Sequence, residues 1–227
     1  MKIAFYFCTR SKEPKKTLAY RSLEDIKNNS QNTFEILYSA GNTAGLSINY
    51  NNIIAKYQDD FDYIIFLHDD VYVDDFNICN KLIKAHKQYD IVGLAGGVNP
   101  ALQEPVLWHL MCGGFQSKNL RGAVAHYALE NTIFMTSFGP TPSRVVVLDG
   151  LFLSLKMESI KNSGFKFNEN YTFHHYDIAS CLDANSLKLK LGVYPIWVIH
   201  NSPGLLNPND KLFLASEKKF INEYSGT

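Results

Sequence analysis

The sequence predicts a doubly wound α/β fold, a mostly parallel sheet flanked by helices, with a strand-and-loop insertion before the last core strands. Three observations carry this. Short apolar runs alternate with stretches apolar at helical spacing from the N-terminus to residue 97. The run Tyr63-Ile64-Ile65-Phe66-Leu67 has the unbroken apolar character of a strand buried on both faces of a parallel sheet. Between residues 98 and 144 the alternation fails, and prolines and glycines punctuate short apolar pieces.

Residues 2–8 read as the first strand and end in Thr9-Arg10-Ser11-Lys12. Pro14 precedes a helical pattern through Leu18, Leu23 and Ile26, which Asn28-Asn29-Ser30 closes. Phe34-Glu35-Ile36-Leu37-Tyr38 alternates as a second strand, and residues 46–57 carry apolar side chains at helical spacing after Gly41 and Gly45. Asp59-Asp60-Phe61-Asp62 turns the chain into the strand 63–67. Residues 75–88 read as an amphipathic helix, and 91–97 as a strand ending in glycines that permit close backbone approach. Past the insertion, residues 144–148 form a buried strand ending in Asp149-Gly150, and 156–162 a short helix closed by Gly164. His174-His175-Tyr176-Asp177 precedes a helix over 178–189, and 191–199 is a last strand ending in His200. The tail starts as a loop and finishes in a helical pattern from Lys211 to Tyr224.

With 227 residues, 46% of them hydrophobic and 19% charged, the chain can build one generous domain, or one with a substantial insertion. Its 22 basic and 22 acidic residues cancel, so no global attraction to nucleic acid is implied. The aromatic share, 13%, suits a core first and sugar- or protein-binding surfaces second. Four scattered cysteines show no CxxC spacing, and Cys8 and Cys181 stand in apolar surroundings, as buried free thiols do in a reducing compartment. The apolar run after Met1 is too short for a signal peptide, and no stretch reaches bilayer length. The expectation is a cytoplasmic chain.

Four apolar segments end in polar residues: His68-Asp69-Asp70, Asp149-Gly150, the 174–177 cluster and His200. In open α/β sheets the carboxyl ends of the strands border the ligand crevice. Adjacent carboxylates and an imidazole there need a cation or hydrogen-bond donors to satisfy them. That ligand mixture suits a divalent ion such as manganese. Taken singly each feature is ordinary, since Asp caps turns and Asp-Gly is a turn dipeptide. Their recurrence at strand ends is what points to a site. The sequence has no GxxxxGK[ST] or GxGxxG after the first strand, no GxSxG and no HExxH. Kinase, nicotinamide, hydrolase and metalloprotease patterns are thereby poor fits.

On these residues the chain resembles the GT-A glycosyltransferases, specifically the inverting family two and its small bacterial glycosyltransferase-like branch. The likeness covers most of the chain and is weakest over 98–144. Asn42-Thr43-Ala44-Gly45-Leu46-Ser47-Ile48-Asn49 is similar to the segment leading into that family's second helix. His68-Asp69-Asp70 sits where the fold carries its DxD metal motif, with His68 in place of the first Asp. The resemblance implies Asp70 as the main ligand of Mn²⁺ or Mg²⁺, Asp69 and His68 assisting, and His200 completing the set. Thr9, Arg10, Asn42, Asn49, His68 and Asp69 would border the donor. Asp149, Gly150, His175 and Tyr176 would face the acceptor. Tyr176-Asp177 is similar to the acidic pair opening the next helix, so the general base falls on Asp177 while Tyr176 replaces the first acid.

The resemblance divides the chain into a nucleotide-sugar-binding half (1–97), a variable insertion or flap (98–144), and an acceptor-side half with a C-terminal tail (145–227). It implies metal-dependent, inverting transfer of a sugar from a nucleotide-diphosphate donor to a hydroxyl, in cell-surface glycan synthesis. The acceptor would be a glycan, a lipid-linked glycan or a small molecule. A lipid-linked acceptor would add a peripheral contact at the inner face of the membrane. Two rivals stand beside this reading. A nucleotidyltransferase would want glycines within Cys8-Thr9-Arg10-Ser11-Lys12, which has none. A catalytically degenerate GT-A domain would account for His68 and for the incomplete acidic pair. In the insertion Trp108 reads as core, whereas His109 and Arg121 are substrate contacts or solvated.

Overall fold

The structure is a computed structural model and describes residues 1–127, 132–202 and 210–225. β1 (Ile3–Cys8) is buried along its whole length. A 3-10 turn at Pro14–Lys16 leads into α1 (Leu18–Asn29), where the Thr17 hydroxyl accepts from the Tyr20 N–H and caps the first turn. β2 (Glu35–Ser39), α2 (Leu46–Tyr57), β3 (Tyr63–Leu67) and β4 (Val71–Val73) follow. Next come α3 (Ile78–Ala85), β5 (Ile91–Gly93), β6 (Ala95–Gly97) and α4 (Trp108–Met111). β7 (Leu120–Tyr127) and β8 (Ile133–Gly139) pair antiparallel, before β9 (Ser143–Val145) and β10 (Val147–Leu148). β11 (Phe152–Lys156), α5 (Met157–Ser163), α6 (Tyr176–Ser186), β12 (Leu191–Val193), β13 (Val198–His200) and α7 (Lys211–Tyr224) complete the order.

The strands make two sheets. The first runs β2-β1-β3-β11-β5-β12-β9. Within it β2, β1, β3, β5 and β12 are mutually parallel, and β11 and β9 run against them. The second sheet is β10-β6-β7-β13-β4, with β8 on β7. Four stretches of chain serve both sheets in turn: β3 passes to β4, β5 to β6, β9 to β10 and β12 to β13. This corrects three expectations. The runs 91–97, 144–148 and 191–199, each read as one strand, are each two strands in different sheets. Both halves of each run are largely buried, so apolarity continues across the break and hides it. At Gly96 the passage also needs a bare Cα, because a Cβ would run into the Val147 carbonyl oxygen.

Other boundaries move for local reasons. Residues 75–77 are not helical, because the buried Asp75 carboxylate accepts from the Asn77 N–H (3.1 Å) and the Trp197 N–H (3.0 Å) and pairs with Lys81 (2.6 Å). β11 is a strand that the sequence reading passed over. It sits between β3 and β5, antiparallel to both, where a parallel succession was expected. α6 starts two residues earlier than expected, after His175 at φ 62°, so Tyr176 and Asp177 occupy its first turn. All four cysteines are buried and free. Among the described residues no helix is long and apolar enough to cross a membrane.

The core gathers around β3. Phe66 is fully buried and meets the rings of Tyr50 (4.3 Å), Phe167 (5.6 Å) and Tyr6 (5.8 Å). Polar stitches join α2 to the segment before α6. The Leu46 N–H donates to the Thr172 carbonyl (2.7 Å), and the Ser47 hydroxyl to the Tyr171 carbonyl (2.7 Å). Asn51 exchanges two hydrogen bonds of 2.9 Å with the Phe167 backbone. Phe66→Ala empties the middle of this cluster. The expected loss is about 3–5 kcal/mol, read as a lower denaturant midpoint at unchanged slope.

Candidate active site

A cavity of about 820 Å³ opens where β1 and β3 end. Its walls are residues 8–11 after β1, residues 42–46 before α2, residues 67–70 between β3 and β4, and Thr172 with Phe173. The expected donor residues Thr9, Arg10, Asn42, His68 and Asp69 all line it. Asn49 stands behind the wall: its amide donates to Asn42 Oδ1 (3.0 Å) and to the Gly45 carbonyl (2.8 Å), bracing that loop. The Thr9 hydroxyl accepts from the Ser11 N–H (3.1 Å), which shapes the first turn. Lys16, Thr17 and Phe173 also line the cavity and escaped the sequence reading, because nothing in a lysine or threonine near a loop marks it as facing a crevice.

The link between β3 and β4 delivers two side chains to a point where the end of β13 adds a third. His68, Asp70 and His200 offer ligand atoms that all lie within 4.8 Å of one another. Asp70 Oδ1 stands 3.3 Å from His200 Nε2. Both atoms are buried and neither has a hydrogen-bond partner of acceptable geometry. His200 reaches this point because β13 pairs with β4, which puts it in register with Val71, the residue after Asp70. One carboxylate and two imidazoles match a divalent transition ion, and two buried atoms without hydrogen-bond partners are what such an ion satisfies. Asp69 lines the cavity but stands outside this trio.

Beside the trio, the Gly150 peptide ties the other polar residues together. Its carbonyl accepts from Tyr176 Oη (2.8 Å), and its N–H donates to Asp177 Oδ2 (3.0 Å). A Cβ there would run into Tyr176 Oη, so only glycine fits. Tyr176 Oη gives its proton to that carbonyl and therefore accepts from His68 Nε2, 3.1 Å away. The network thus assigns the His68 proton to Nε2 and leaves Nδ1 as the nitrogen with a free lone pair. Asp149 accepts from the Leu151 N–H (3.0 Å) and from the Trp108 indole N–H (2.8 Å). Trp108, expected in the core, is buried and also makes this polar contact.

Of the remaining acceptor-side residues, His175 is buried against α7, with Nδ1 2.8 Å from the Ser216 hydroxyl. Arg121 spends its guanidinium on the carbonyls of Lys118 and Leu120.

Residues 4–224 match the family described as "Glycosyltransferase like family". The chain belongs to that family. The structure of S. aureus TarS 1-349 superimposes with a TM-score of 0.50 at 12% identity, over 98% of this chain and 66% of that one. The catalytic domain of Drosophila beta1,4galactosyltransferase 7, solved in complex with xylobiose, gives 0.52 at 12% identity, over 85% and 64%. The chain therefore spans about two thirds of either structure. These likenesses establish the GT-A fold. No curated protein sequence matches this chain.

Electrostatics in this glycosyltransferase-like domain separates the carboxylates. Burial pushes the Asp70 carboxyl up, but the adjoining imidazoles of His200 and His68 outweigh it and hold it below the ordinary value. Burial and the neighbouring His200 lower the His68 pKa, which keeps that imidazole neutral and fit to bind a cation. Asp177 goes the other way. Burial, reinforced by the charge of Asp149, pushes its carboxyl up to about 7 against the pull of backbone N–H groups, those of Ile178 and Gly150 foremost. A carboxyl raised above its ordinary 3.8 gives stability that is complete below that value and is lost as pH rises through about 7. Denaturation midpoints measured across this window should fall with pH in the parent protein. In Asp177→Asn the slope should flatten.

Proposed function

We propose that the chain is a metal-dependent, inverting glycosyltransferase that moves a sugar from a nucleotide-diphosphate donor to a hydroxyl acceptor. The observation that carries this is the trio His68, Asp70 and His200, whose ligand atoms lie within 4.8 Å of one another beside a cavity of about 820 Å³. In this reading His68 (through Nδ1), Asp70 and His200 hold Mn²⁺ or Mg²⁺, and Asp69 faces the donor beside them. A divalent ion bound there supplies positive charge to the departing diphosphate. Arg10 is exposed on the cavity wall with no partner among the described residues, free to meet a donor phosphate. Thr9, Asn42 and the loop that Asn49 braces hold the rest of the donor.

Asp177 is the general base. A carboxyl titrating near 7 accepts a proton efficiently close to neutral pH. It takes the proton of the acceptor hydroxyl, whose oxygen attacks the anomeric carbon on the face away from the leaving diphosphate. A single displacement of that kind inverts the configuration. The Gly150 N–H fixes one Asp177 oxygen, and the Ile178 N–H (2.9 Å) fixes the other. Asp149 keeps the Asp177 proton affinity high through its charge. The resemblance to the bacterial branch points to a cell-surface glycan as the product, made on the cytoplasmic side.

Thermal shifts against nucleoside diphosphates and nucleotide sugars, with and without Mn²⁺, test the donor site. One nucleotide should raise the melting temperature only when the ion is present, and Asp70→Ala should abolish that rise. No shift with any nucleotide would sink the reading. With the donor identified, Asp177→Asn should lower kcat about 10²–10⁴-fold and leave nucleotide binding intact. Activity of the parent should climb with pH through about 7, as Asp177 loses its proton.

A further inference from the structure

Most of the groups expected to face the acceptor are turned inward. Gly150, Tyr176 and His175 are buried, and both Asp149 oxygens are engaged. What reaches solvent beside them is a set of rings on the second sheet. His200, His126 and Phe134 are neighbours in register across β13, β7 and β8, so their side chains share one face. Ring centroids along this row lie 6.0 Å and 5.3 Å apart, and the row ends at Phe134, which is 50% exposed. It begins at a residue of the candidate metal site.

A second row leaves from Asp149. Trp108 holds that carboxylate and packs on Phe138 (5.0 Å). Phe138 adjoins Phe115 (6.3 Å), which is 65% exposed and stacks on His109 at 4.3 Å. The two rows meet on β8, which carries both Phe134 and Phe138.

Resting on the function proposed above, we infer that these two rows floor an acceptor site for a carbohydrate chain of two or more pyranose units. A pyranose offers a C–H face that lies on an aromatic ring and a rim of hydroxyls that hydrogen-bond to ring nitrogens. The floor alternates those chemistries, with Phe134 beside His126 and Phe115 beside His109. An acyl chain would bury the imidazoles without partners, at a cost that a sugar avoids. Each row is longer than one sugar ring, and each ends in an exposed phenylalanine. The floor is continuous with the candidate metal site at one end and with Asp149, the neighbour of the proposed base, at the other.

The test uses the full chain with cellotetraose, maltotetraose and chitotetraose, their monosaccharides, and dodecylphosphocholine micelles. Calorimetry and saturation-transfer NMR report binding. At least one tetrasaccharide should bind more tightly than its monosaccharide. Phe115→Ala and Phe134→Ala should each weaken it roughly two- to tenfold, the size of a lost ring contact. Both side chains are exposed, so the variants should melt with the parent and keep its Mn²⁺-dependent nucleotide shift. Absence of tetrasaccharide binding, or binding indifferent to both substitutions, overturns the inference. Binding to micelles alone, lost in the same variants, overturns it in favour of a lipid surface. Ring-dependent sugar binding without any nucleotide shift would keep the floor and remove the donor reading.

Discussion

The architecture depends on a passage that four stretches of chain make, from one sheet to the other. A strand in transit cannot belong to either hydrogen-bond ladder, so its backbone and side-chain polar groups must find partners elsewhere. At Leu94 and Val146 the passage takes one residue, with little polar material to satisfy. Between β3 and β4 it takes three, and those three are His68, Asp69 and Asp70. The site is therefore the most polar of the four crossings. His200 joins it because the fourth crossing returns the chain in register beside β4.

Around that crossing a single peptide unit orders the chemistry. Gly150 has no side chain of its own to contribute, yet its carbonyl directs Tyr176 toward His68 and its N–H restrains Asp177. The two carboxylates with opposite assignments differ both in burial, which is deeper at Asp177, and in the charges that surround them. Asp70 faces imidazoles, and Asp177 faces another carboxylate. The same residue type thereby holds its proton less readily than usual at one place and more readily at the other.

Much of this was legible in the sequence, and the illegible part has a physical pattern. Helix starts marked by Pro14 and Gly45 and the buried run 63–67 left clear signals, since turn residues and apolarity are local properties. The strand-end polar residues His68, Asp70 and His200 could be picked out because ionisable groups recur at the ends of several apolar runs. The division into two sheets could not be read. Residues 91–97 and 144–148 stay largely buried on both sides of the break, and hydrophobicity records burial without recording which ladder a strand joins. β11 was missed for a related reason: Phe152–Lys156 runs straight into α5 with no turn residue between them. The ring rows were illegible altogether, because Phe134 and His126 become neighbours of the site only through pairing across β7, β8 and β13, and Phe115 joins them only through its contact with Phe138.

The polar stitches between α2 and the segment before α6 join residues more than a hundred positions apart. Leu46, Ser47 and Asn51 hold the backbone of residues 167–172, so the cavity wall before α2 and the approach to Asp177 form one mechanical piece. The cavity wall before α2 and the start of α6 are thereby held to each other directly, however far apart they stand in the chain. The hairpin of β7 and β8 takes no part in these bonds, so its surface can vary in sequence while the clamped wall keeps its shape.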